Sequence, residues 1–280
     1  MQVCISNLRR YFLSTIITTI PPTETTDDNV QIGLPILPKA RDNVHFGIMR
    51  QWLQDCDDNH QRCSTIPEFV PTRLIFVGTT EDPVVQLLET RNSTQIHKFI
   101  ALSHRWGDEN VHSRFCTTAD TIKAHLKGIE FCNLPATFQD AVTTTRKLGI
   151  QHLWIDSICI IQEDEDDWRR EAQRMEDVFS SAYCVIAASC ATGTSDGFLK
   201  DPPNRDFVMV SQGTESEPPL YVCDFIDDFD QHVLQAGLNK RGWVLQERAL
   251  ARRTIHCAEA QTYWECGDGI RCETLTKMVK

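Results

Sequence analysis

HLWIDSICIIQEDEDDWRREAQRMEDVFSSAYCVIAAS, residues 152–189, decides the fold. It opens on an almost wholly apolar run, HLWIDSICII, crosses an acidic stretch and closes on a second apolar run, AYCVIAAS. Between the two, Trp168, Ala172, Met175, Phe179 and Ala182 recur at steps of four, three, four and three, the spacing of one helix face. Glu165 and Arg169 add a supporting i,i+4 pair. The expectation is strand, helix, strand. QEDEDD reads as a solvated loop plus the N-terminal charge that a helix dipole favours. One residue does not fit this pattern: Asp156 stands inside the apolar half.

Upstream the same alternation continues. KFIALSH (98–104) is a short apolar strand, SRFCTTADTIKAHLKG (113–128) a polar connection with a helix, and LPATFQDAVTTTRKLG (134–149) a helix. Phe138, Ala141, Val142 and Leu148 form the apolar side of that helix, and Gly149 ends it. Three continuous apolar strands separated by helices predict a sheet covered on both faces, because such strands lose the apolar/polar alternation of half-exposed ones. The fold class is therefore α/β, with an open, mainly parallel sheet flanked by helices. An additional N-terminal helix is predicted in HFGIMRQWLQDCDDNHQRC (45–63), where Ile48, Trp52 and Cys56 recur with Phe46 and Leu53 alongside. PTRLIFVG (71–78) and VVQLLET (84–90) read as strands, MVSQGTESEPPLYVCDF (209–225) as two strands around a polar turn, and RGWVLQERALARRTIHCAEAQTYWECG (241–267) as a helix followed by C-terminal strands.

Composition bounds the function. With 41% hydrophobic and 24% charged residues over 280 positions, the chain is globular rather than disordered. Its net charge of −11, from 28 Lys plus Arg against 39 Asp plus Glu, argues against nucleic acid as the main partner. Twelve cysteines, several inside apolar runs such as Cys159 and Cys184, read as reduced, buried small hydrophobes. LRRYFLSTIITTIPP (8–22) loosely resembles a signal peptide, but Ser and Thr lace it and it lacks a small-x-small cleavage site. No run approaches the ~18 apolar residues of a membrane span. The expectation is a cytoplasmic protein without a membrane partner, with residues 1–42 a flexible leader rich in Pro and Thr and residues 43–280 one domain.

Open parallel sheets bind ligands beyond the carboxyl ends of their strands. Those ends offer Ser103, His104, Arg105, Trp106 and Gly107 after the first strand, Asp156, Ser157 and Cys159 after the second, and Ser189, Cys190 and TGTSDG after the third. Asp156 either caps a loop or pairs with a buried arginine, or it grips a ligand hydroxyl or acts as a base, since a carboxylate among apolar residues must find donors. Arg105 is the expected cationic neighbour. His104 and Glu247 join Asp156 as acid/base candidates, with Ser103, Arg105, Trp106, Ser157 and Gln246 as ligand-binding candidates. Gln246 and Glu247, near a helix start, either cap it or close over the strand ends. Ser103 or Cys159 with His104 or His152 could assemble a nucleophile, though no GxSxG context supports one. No GxGxxG or GxxxxGK[ST] phosphate loop is present. Cys56, His60 and Cys63, at i, i+4 and i+7, share a helix face and are ligand types that zinc favours. A closed site needs a fourth ligand, for which Cys257 or Cys266 are candidates, and the alternative is a helix face packed on the core.

IALSHRWG, LPATFQDAVTTTRKLGIQHLWIDSICIIQED, RREAQRMEDVFSSAYCVIAAS and RGWVLQERAL resemble, in this order and spacing, the blocks of the fungal heterokaryon incompatibility (HET) domain family. WLQDCDDNHQRC followed by PTRLIFV is similar to the segment that often precedes that domain. The resemblance spans residues 46–267, with core motifs over 97–250. Ser103, Trp106, Gly107, Trp154, Asp156, Gln162, Gly242, Trp243, Gln246 and Glu247 match family motif positions. It implies a fungal protein of self/non-self recognition and programmed cell-death signalling, with homotypic or other signalling proteins as partners. It also implies a flavodoxin-like, TIR-like core and, through it, an NAD-like nucleotide as possible ligand. SCATGTSDG (189–197) departs from the TIR-like pattern in lacking a glutamate after the third strand. The alternative is an enzyme acting on a small organic molecule in the same cleft, as in a tailoring step of fungal secondary metabolism.

Overall fold

The computed structural model describes residues 2–5, 30–32, 34–64, 69–91, 98–108, 110, 114–212, 219–240, 242–275 and 277–278. The first half contains strands β1 (Gln2–Ile5) and β2 (Val30–Ile32), helices α1 (Asn43–Asn59) and α2 (Gln61–Ser64), strands β3 (Arg73–Phe76), β4 (Val84–Glu89) and β5 (Ile100–Ser103), helix α3 (Ile122–His125), strand β6 (Ile129–Glu130) and helix α4 (Ala136–Lys147). The second half contains strand β7 (His152–Trp154), helices α5 (Asp156–Cys159), α6 (Glu165–Ala172) and α7 (Met175–Ser181), strands β8 (Cys184–Ala187), β9 (Phe207–Ser211) and β10 (Leu220–Cys223), helix α8 (Gly242–Leu250), and strands β11 (Arg253–Cys257), β12 (Thr262–Cys266), β13 (Gly269–Cys272) and β14 (Lys277–Met278).

Ten strands form one sheet in the order β14-β13-β12-β11-β8-β5-β7-β3-β4-β6. Its centre, β11-β8-β5-β7, is parallel, and both arms continue antiparallel. The α/β class stands, with the parallel part confined to the middle of a mixed sheet. Every residue of β5 and β8 is buried, as their unbroken apolar runs require. From β5 the chain passes through α4 to β7 on one side, and from β7 through α6 and α7 to β8 on the other. Right-handed crossovers in these two opposite directions put α4 on one face and α6 and α7 on the other. The loops leaving β5 and β7 therefore part company, and that crevice is where open α/β sheets bind ligands.

Helix α1 buries Phe46, Ile48, Trp52, Leu53 and Cys56, the predicted face. Trp52 meets Trp264 of β12 with ring centroids 6.4 Å apart. Helix α4 ends as expected, with Gly149 in the left-handed region at φ +76°. A second, four-stranded sheet, β2-β1-β10-β9, includes two pieces of the stretch read as a leader, residues 2–5 and 30–32. From residue 34 that stretch joins the core through Leu34, Leu37 and Ala40. The signal-like run 8–22 lies outside the described residues.

Two local expectations change. HLWIDSICII is not one strand: β7 stops at Trp154, and the chain turns into α5, where the Ile158 and Cys159 amides both donate to the Ile155 carbonyl, at 3.1 and 2.8 Å. Ser157, Ile158 and Cys159 in this turn are buried as strand residues would be, so hydrophobicity alone does not separate the two. The helix expected across 166–182 breaks at Gln173 and Arg174, and Trp168 faces solvent, 56% exposed. The buried residues of α6 are Asp167 and Glu171 instead. Asp167 is drawn inward by an ion pair with the buried Arg73 of β3, and Asp164 caps the helix by accepting from the Asp166 and Asp167 amides.

Candidate functional site

Extended backbone sends successive side chains to opposite sides, and at the end of β5 this splits Ser103 from His104. Ser103 donates its hydroxyl to Glu247 Oε2 of α8 at 2.6 Å. His104 is buried against the edge of the Phe138 ring of α4, with centroids 5.1 Å apart, and its Nδ1 lies 3.8 Å from Asp156 Oδ1. Gly107 then takes φ +86°, a left-handed backbone that glycine adopts without strain, next to Trp106, which lies at the neighbouring strand end. There the Trp106 indole Nε1 donates to Asp156 Oδ2 at 2.9 Å.

Asp156, the first residue after the β7 loop, also accepts from the Ser157 amide at 2.7 Å through Oδ1. Both carboxylate oxygens are thus oriented by fixed donors, yet the side chain remains 27% exposed. It is held in place and reachable. Ser157 lies beneath, buried, with no hydrogen-bond partner for its hydroxyl among the described residues. His104, Trp106 and Asp156 form one group at the ends of β5 and β7, with Ser157 beside it, and the Ser103–Glu247 pair lies on the other side of the β5 end.

Arg105 does not join them. Its guanidinium lies against Gly237, where an added Cβ would sit 2.9 Å from Nη1, so the expected Arg105–Asp156 pairing is replaced by His104, Trp106 and Ser157 around the carboxylate. The alternation that aims His104 at Asp156 turns Arg105 away. The side chains of Gln246 and Trp243 lie outside the described residues. Gln162 braces the site: its side-chain amide donates to Ile160 O at 3.1 Å and its backbone amide to Thr117 O at 2.7 Å. Cys159 is no nucleophile, because complete burial pushes its thiol up to about 12.

Three supporting residues escaped the sequence reading. Thr117, wholly buried, donates to Ile158 O at 2.7 Å and clamps the 114–118 segment over α5. Arg73 donates to Cys159 O at 2.6 Å and so ties α5 to α6 through Asp167. Asp140 of α4 accepts from the Phe198 and Leu199 amides, at 2.7 and 2.9 Å, and from Arg41. It anchors the loop after β8, whose TGTSDG segment therefore packs on α4. A charged residue flanking an apolar helix face was the available signal.

At the opposite edge of the central strands, Cys56, His60 and Cys63 meet Cys266 of β12, with all four ligand atoms within 4.8 Å of one another. Cys257 sits elsewhere, its carbonyl accepting from the Cys190 amide. A hydrogen bond from the Cys56 thiol pulls the Cys266 thiol far below its ordinary range, aided by the Asp268 amide, Trp264 and His60.

The sequence profile of the family described as Heterokaryon incompatibility protein (HET) matches residues 99–247, more than half of the chain. The match begins at β5 and ends on Glu247, so it brackets the strand-end set. Heterokaryon incompatibility protein 6, OR allele, of Neurospora crassa is 28% identical over 105 residues, covering 31% of this chain and 14% of that protein. The chain thus matches only a small part of that relative's length. No solved structure matches. No helix among the described residues is long and apolar enough to cross a membrane. The ordered motifs and the matched span agree: the chain belongs to the heterokaryon incompatibility (HET) family.

Proposed function

We propose that this HET-family chain acts in fungal self/non-self recognition and triggers growth arrest and cell death, by binding a small polar ligand of the nucleotide type across the ends of β5 and β7. The observation that carries the reading is Asp156, whose oxygens are fixed by Trp106 and Ser157 while the side chain stays accessible. A carboxylate so arranged suits a ligand hydroxyl pair, such as that of a ribose, and the Trp106 ring beside it offers a flat apolar surface. Glu247 supplies a second carboxylate from α8, reaching the strand ends that lack a glutamate in the loop after β8. Family membership and the name of the Neurospora relative support the incompatibility role. Homotypic assembly or docking to another signalling protein would transmit it.

Expression in a filamentous fungus, with viability and NAD content measured together, tests this. Wild type is expected to arrest growth, and Asp156→Asn to relieve the arrest while melting at an unchanged temperature. Normal growth with wild type sinks the effector reading. Arrest without loss of NAD removes NAD consumption and leaves binding, which calorimetry with NAD and ADP-ribose on the purified chain then measures.

A further inference from the structure

We propose that Cys56, His60, Cys63 and Cys266 bind one Zn²⁺ as a closed structural site that staples the α1–α2 corner to the β12–β13 hairpin. Helix α1 places Cys56 and His60 one turn apart. The helix ends at His60, whose φ of −116° and ψ of 84° are non-helical, and α2 swings Cys63 back to the same point. The Cys63 amide donates to His60 O at 2.9 Å and fixes that corner. From more than 200 positions away comes Cys266, the last residue of β12, followed by the Gly267–Asp268 turn into β13.

The surroundings fit a metal better than ordinary thiol packing. His60 Nε2 lies 3.3 Å from Asp268 Oδ2, which orients the ring and leaves Nδ1 facing the sulfurs, 3.5 Å from Cys266 Sγ. A carboxylate behind a ligating imidazole is the usual support of a metal-bound histidine. The Asp268 amide also donates to Cys266 Sγ at 3.4 Å, so one turn steadies two ligands. Gly267 passes against Cys63, where a Cβ would come within 3.3 Å of its sulfur. Zn–S bonds of about 2.3 Å in a tetrahedron put ligand atoms about 3.8 Å apart, compatible with four atoms all within 4.8 Å. Three sulfurs and one imidazole nitrogen select zinc over oxygen-seeking Mg²⁺ or Ca²⁺. Four protein ligands, three of them buried, leave no open position for substrate, so the role is structural. Arg252 donates to Cys63 O at 3.1 Å and places a positive charge beside the three thiolates around one dication.

Elemental analysis of the full chain, purified in reducing buffer without chelator, tests the assignment. We expect about one zinc per chain, lost in Cys266→Ser and His60→Ala and retained in Cys132→Ser, whose cysteine is exposed. Should the first two variants fail to fold, wild type still decides: titration with a mercurial releases the zinc to a coloured chelator, and Co²⁺ added to the metal-stripped, reduced chain gives the visible bands of a tetrahedral thiolate site. Wild type without stoichiometric metal and without cobalt bands overturns the proposal, as does full zinc in a folded Cys266→Ser.

Discussion

At the residue scale both oxygens of the partly exposed strand-end carboxylate are held by donors, whereas another carboxylate is buried with its Oε1 unpaired among the described residues. Burial pushes Glu273 up to about 7, although the Thr262 amide and hydroxyl pull the other way. Its Oε1 lies 3.7 Å from His45 Nδ1, and burial lowers that histidine to about 4. Between these values both partners are neutral, so the contact is no ion pair there. The unfolded chain sheds the Glu273 proton near 4.5 and the folded chain keeps it to about 7, so this group withdraws stability as pH rises through that window. Glu273→Gln, which preserves shape and an acceptor for the Thr262 amide, should be more stable than wild type at pH 8 by about 1–3 kcal/mol. At pH 4 the two should unfold alike. Melts at both pH values check this, and an equal gain at pH 4 would remove ionisation as its cause.

At the element scale α6 carries the plainest lesson. Counting apolar positions puts Trp168 inside, but the helix turns by its salt bridges: Arg73, 4% exposed, demands an acceptor, and Asp167 supplies it while also accepting from the Ile161 amide at 2.8 Å. Asp167→Asn leaves a buried guanidinium uncompensated and is expected to cost about 3–5 kcal/mol in urea denaturation. Glu165→Gln, in the exposed pair with Arg169 on the same helix, should leave the midpoint unchanged. Equal effects at the two positions would refute the account. The strand predicted through Asp156 failed for a related reason. Periodicity registers burial, and it is blind to a turn closed by hydrogen bonds to Ile155 O beneath a Thr117 clamp.

At the scale of the whole molecule, the parallel centre is covered on both faces and the antiparallel arms run out to solvent. Hydrogen exchange should follow that order, with the amides of Ile100–Ser103 and Cys184–Ala187 the last to exchange and those of the edge strands β6, β9 and β14 the first. Mass-spectrometric exchange with β9 as slow as β5 would contradict it. The α/β class, the three apolar strands, the helix face of α1 and the ordered family blocks all follow from the chain read alone, because hydrophobic period and turn residues are local properties. Ser103, His104, Trp106, Asp156 and Glu247 could be picked out as strand-end and helix residues, but not who faces whom. That Asp156 meets His104 and Trp106 rather than Arg105, that Glu247 reaches Ser103, and that Cys266 rather than Cys257 joins Cys56, His60 and Cys63 depends on strand order and register. Those are set by packing between segments as much as 210 residues apart, where no local pattern reaches.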